Sequence, residues 1–152
     1  MTLAAPTAAK YVAVADMMAE WRESVLTGSP PETWPHGLPT PALTPGHVVL
    51  LGGAPGSGKT SLAMQIVVEA LRNNGELKAL VANVEMTPAS LLDRQLARLS
   101  GIDAEVVRLR AFTDEHGDRL DVGLATIEEV ASRLAFLEPP FALENVAASA
   151  DE

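Results

Sequence analysis

With 152 residues, no cysteine and a formal net charge of −9, the chain has the length of one domain, and disulfides and thiolate metal sites are excluded. It is 47% apolar but only 4% aromatic, which suits an aliphatic α/β interior, and its acidity speaks against a broad nucleic-acid footprint. His36, His47 and His116 lie too far apart in sequence for a zinc cluster. No apolar run reaches membrane-spanning length and the first ten residues lack a secretion signal, so a cytoplasmic protein without a membrane partner is expected.

The first predicted element is a helix from about Tyr11 to Leu26, with Val14, Met18, Trp21 and Val25 on one stripe. Such a helix either packs on its own domain or docks on a neighbouring subunit. Six of the eleven prolines fall between Gly28 and Gly46, a density that neither helix nor central strand tolerates, so an extended connection is expected. The reading is therefore an N-terminal helix and Pro-rich linker over 1–46, then a second domain over 47–152. His47–Leu51 reads as a buried parallel strand. After the loop Gly52–Thr60 comes a helix over Ser61–Asn73, stopped by Asn74-Gly75. Ala79–Val84 reads as a second strand ending in Glu85. Thr87 is the expected N-cap of the next helix, with Pro88 at its first position, Leu92, Leu96 and Leu99 inward, and Gly101 as its stop. Asp103 caps a short helix. A longer one starts near Asp114 with Leu120, Leu124, Ile127, Ala131 and Leu134 on one face, and Ala135–Leu137 gives a third strand before Pro139-Pro140. Alternation of strands and helices predicts a parallel α/β sheet flanked by helices.

Gly53-Ala54-Pro55-Gly56-Ser57-Gly58-Lys59-Thr60 fits the Walker A pattern in full. Only glycines let a backbone fold closely enough for its N–H groups to surround a triphosphate. The helix opening at Lys59-Thr60-Ser61 points its positive end at the same place. Lys59 would reach the β- and γ-phosphates and the Thr60 hydroxyl would ligate Mg²⁺. Ordinary glycine usage makes this pattern roughly a once-in-200 event for such a chain, so a phosphate cradle is favoured over an incidental turn. Glu85 lies 25 residues after Thr60, where a carboxylate can polarise the water attacking a γ-phosphorus. Spacing alone leaves it open between that role and a solvated strand-end glutamate.

The segment Val84-Glu85-Met86 with Arg94 nine residues on and Leu99-Ser100-Gly101-Ile102-Asp103 beyond resembles the stretch after the P-loop in DnaB-type replicative helicases, members of the RecA-like ATPases. "LTPGHVVLLGGAPGSGKTSLAMQIV" is similar to that family's approach to Walker A, and the resemblance spans about Leu38 to Pro140. It implies a partial RecA-like P-loop fold that binds ATP and Mg²⁺, with Lys59 and Glu85 catalytic and Thr60 on the metal. It also implies a homohexamer acting on single-stranded DNA. Arg94 stands where the family has an arginine. The family's Walker B strand is not visible. "LAFLE" fits a short strand before it, so the chain reads as the front part of an ATPase core. Residues 103–152 carry twelve acids and four arginines, no surface for gripping DNA phosphates. Two other readings remain: a KaiC-like or RadA-like ATPase, and a non-catalytic nucleotide-binding or interaction module.

Overall fold

The computed structural model of the chain describes residues 12–139 and 141. The expected helix start at Tyr11, the second proline of the 139–140 pair and the acidic tail lie outside them. The chain divides into two units, Met1–Glu32 and Thr33–Glu152. The first contains α1 (Val14–Thr27), which buries none of its residues. Val14, Met18, Trp21 and Val25, the expected stripe, are all exposed.

The second unit runs through α2 (Lys59–Asn73), β1 (Ala79–Val81), α3 (Pro88–Ser100), α4 (Ala104–Leu109), a 3₁₀ turn (Asp114–His116), α5 (Gly117–Ala131) and β2 (Leu134–Phe136). β1 and β2 pair in parallel, Ala79 opposite Leu134 and Val81 opposite Phe136. The mixed order and small parallel sheet agree with a partial RecA-like domain. The proline-rich stretch is not simply extended. Trp34 and Leu43 pair antiparallel, and the buried His36 ring fills the loop between them, its Nε2 3.0 Å from the Pro41 carbonyl.

Two expected strands differ from the structure. His47–Leu51 forms no ladder, with Val48 97% and Leu50 92% exposed. A strand needs a neighbour's N–H and C=O groups, and among the described residues β1 and β2 pair with each other while no segment pairs with 47–51. β1 ends at Val81 rather than Val84, because the Asn83 side chain draws the chain into a turn. Its Oδ1 accepts from the N–H groups of Glu85 and Met86, both at 2.9 Å.

α3 is the hub. Thr87 caps it by accepting from Ser90 N–H, Pro88 occupies its first turn, and Gly101 closes it in the left-handed region at φ 65°. It buries Leu91, Gln95, Leu96 and Ala97, so its inward face is rotated from the expected Leu92 and Leu99. α5 crosses it at Gly123, where a Cβ would sit 2.8 Å from Leu96 Cδ1 and 3.0 Å from Ser100 Cβ. That close approach turns Gly123 and Val130 inward and leaves Leu124, expected inside, 40% exposed. From α2, Val68 and Leu71 are buried. Each such side chain contributes about 1.5–3 kcal/mol by leaving water.

Arg133, just before β2, closes the unit. Its Nη1 donates to the carbonyls of Leu71 (2.6 Å) and Asn74 (2.9 Å), satisfying the Leu71 carbonyl that the end of α2 leaves orphaned and adding to the Leu77 N–H already on Asn74. Its own carbonyl accepts from Ala79 N–H at 2.8 Å. Arg133→Met keeps the stem and strands the Leu71 carbonyl, so urea unfolding is expected to show a loss of about 2 kcal/mol; an unchanged midpoint would remove Arg133 from this role. Gly123→Ala pits a helix-propensity gain of about 1 kcal/mol against overpacking of about 1–3 kcal/mol. The Ser100 backbone nitrogen 3.3 Å away limits relief, so net destabilisation is expected in the same assay.

Candidate functional site

The segment Gly53–Ser61 forms a tight turn running directly into α2. Two of its glycines occupy the left-handed region, Gly56 at φ 76° and Gly58 at φ 86°, a conformation costly for other residues. Gly53 matters for space: a Cβ there would lie 2.7 Å from Ser57 Oγ. Ser57 N–H donates to the Ala54 carbonyl at 3.2 Å, and Pro55 sits inside that turn.

Lys59 spans the loop. Its Nζ donates to the carbonyls of Gly53 (2.9 Å) and Ala54 (2.8 Å), leaving the third ammonium proton for another acceptor. The first helical hydrogen bond is Leu62 N–H to the Gly58 carbonyl, 2.9 Å. The N–H groups of Lys59, Thr60 and Ser61 have no acceptor among the described residues, the N-cap Gly58 supplies no side chain, and the first turn holds no acid. Three free donors, a lysine and the positive end of a 15-residue helix therefore lie together within residues 58–61. This arrangement suits a multiply charged oxyanion. Among the described residues there is no cluster of three or more metal-ligating side chains. A cation here would therefore rest on the Thr60 hydroxyl and on the anion itself.

Glu85 stands in the turn after β1, exposed and without an ion pair among the described residues. It lines a cavity of about 340 Å³ at the carboxyl end of the two strands, with Asn83, Leu91, Phe136 and Glu138 among its walls. No residue of 53–61 lines that cavity. The structure thus gathers 53–61 into one site and sets Glu85 in another, at the sheet edge where open α/β folds bind ligands. The sequence reading missed Asn83, although an Asn two residues before a turn residue is the Asx-turn signal. Arg94 is exposed and lines a groove shared with Gly58 and Ser61. On α4, the hydrogen bond from Arg108 holds the Glu105 carboxyl below its ordinary range, with Coulomb attraction adding and desolvation opposing.

A model of the DnaB-like helicase C-terminal domain family matches residues 39–139, most of the chain. No curated protein and no solved structure matches it. Among the described residues no helix is long and apolar enough to cross a membrane.

Lys59→Met removes the tie across the loop while keeping the stem. Hydrogen exchange at residues 53–58 of the ligand-free protein should accelerate while that of α3 stays unchanged. Equal exchange in both proteins would show that the glycine backbone holds the loop without the lysine.

Proposed function

The chain belongs to the DnaB-like helicase C-terminal domain family, and from that premise we propose that it binds ATP with Mg²⁺ at residues 53–61. The observation that carries the proposal is the run of free Lys59, Thr60 and Ser61 N–H groups at the start of α2, beside a Lys59 ammonium tied across a loop shaped by Gly53, Gly56 and Gly58. The loop N–H groups would hold the phosphates, the third Lys59 proton would meet β- and γ-oxygens, and the Thr60 hydroxyl would hold the metal. Mg²⁺ supplies neutralisation of charge between those oxygens. Glu85 is the proposed general base for the attacking water, a role that requires its turn to close on the loop, since no residue of 53–61 lines its cavity; its backbone is fixed by Asn83 and its carboxylate is free to accept a proton.

The family further supports a homohexamer working on single-stranded DNA by ATP hydrolysis. Residues 103–152, with twelve acids and four arginines, offer no phosphate grip for that task, so any DNA contact belongs to other parts of such an assembly.

Titration of a fluorescent ATP analogue with Mg²⁺ tests the reading. The wild type should bind saturably and Lys59→Ala should lose roughly 100-fold in affinity, about 2.7 kcal/mol. Glu85→Gln should bind like the wild type and show no turnover. Equal binding by wild type and Lys59→Ala would refute the loop assignment, and undiminished turnover in Glu85→Gln would refute the role of the glutamate.

A further inference from the structure

The groove between α2 and α3 is an electrostatic exception in an acidic molecule. The chain carries 20 acidic residues against 11 lysines and arginines. Yet the groove is lined by Ser61 and Gln65 from α2 and by Arg94, Gln95 and Arg98 from α3, with no Asp or Glu in its walls. Its volume, about 720 Å³, is that of a small-molecule site.

Its donors are fixed but not satisfied. Arg98 Nη1 pairs with Glu69 Oε1 at 2.8 Å and Nε donates to Gln95 Oε1 at 3.0 Å, so the guanidinium plane cannot turn away. Its Nη2 is nevertheless buried with no acceptor, the sole such side-chain nitrogen or oxygen among the described residues. Gln95 is 1% exposed. With its carbonyl oxygen engaged by Arg98, its amide NH₂ has no partner among the described residues. Arg94, one turn before Arg98 and on the same helix face, has no ion pair or hydrogen bond there either. Buried donors without acceptors are rare in folded proteins. Here one, the Arg98 Nη2, lies beside an unpaired arginine in one groove. No aromatic ring lines it, so it lacks the stacking platforms that hold single-stranded nucleic acid.

We propose that this groove binds a compact multivalent oxyanion, of phosphate or carboxylate chemistry, through Arg94, Gln95 and Arg98. Guanidinium groups bind both chemistries in bidentate fashion. The occupant bridges α3 to Ser61 and Gln65, so it braces the first turns of the helix that follows the phosphate loop. The site has its own donors and does not require that ATP bind at 53–61.

The test uses the whole chain carrying Lys59→Ala, which weakens any anion binding by the loop. Pyrophosphate and, separately, citrate are titrated while arginine Nε–Hε resonances are followed by NMR. Saturable shifts of Arg94 and Arg98 are expected, with affinity falling about tenfold or more when Arg94→Gln is added. A response to pyrophosphate alone assigns phosphate chemistry, and one to citrate alone assigns carboxylate chemistry. Arg94→Gln in the otherwise wild-type chain, where Arg94 is exposed and unpaired, repeats the comparison with citrate. The proposal fails if neither anion shifts these resonances saturably, or if Arg94→Gln leaves the affinity unchanged. Pyrophosphate binding seen in the wild type and lost entirely in Lys59→Ala also defeats it, and that result leaves the loop reading intact.

Discussion

The guanidinium of Arg133 joins three parts of the chain that sequence keeps far apart. It donates to carbonyls at the end of α2 and in the turn before β1, and its backbone carbonyl fixes Ala79 at the start of β1. Because that bond sits one residue before the Ala79–Leu134 pair, it sets the register of the parallel ladder. A slip by one residue would turn every strand side chain to the opposite face. The helix that follows the loop 53–58 and the strand leading to Glu85 thus share an anchor.

α3 depends on that anchoring and extends it. Its capped start holds the turn containing Glu85, and its end is tied to α5, where Arg119 Nε donates to the Ser100 carbonyl at 3.0 Å. Between them the close crossing at Gly123 leaves no slack for rotation. Polar ties surround this apolar core. Glu69 of α2 pairs with Arg72 and with Arg98 of α3, and Arg72 reaches Glu129 of α5. Arg72 and Glu129 are half exposed, so solvent screening leaves their bond a small effect. The Glu69–Arg98 bond is more sheltered and acts chiefly by orientation, holding a guanidinium rigidly against the groove.

The loop 53–61 and the segment before it differ in how they are supported. The loop 53–61 is shaped from within, by its glycines and by Lys59. The segment before it, Val48–Leu50, exposes its apolar side chains. An exposed segment of this kind is a ready edge for further pairing. The loop's curvature is held by hydrogen bonds within it, whereas the approach to it has no neighbouring strand among the described residues.

Features of short range were legible in the residues alone. The start and stop of α3 follow from Thr87, Pro88 and Gly101, the cap of α4 from Asp103, and the tight turn at 53–58 from its glycine spacing, because caps and tight turns are settled by a few adjacent residues. The family was legible for the same reason, since its motifs are local. Tertiary structure decided the remainder. It placed Leu91 and Gln95 inside where period counting put Leu92 and Leu99. It buried Gly123 and exposed Leu124, because inward faces are set by the partner helix. It also left Val48–Leu50 without a ladder, because a strand exists only where another chain segment supplies its hydrogen bonds. Arg98 could be read as a surface arginine until the fold set Glu69 and Gln95 around it. Long-range contacts of that kind have no local signature, since they join residues that the chain itself keeps apart.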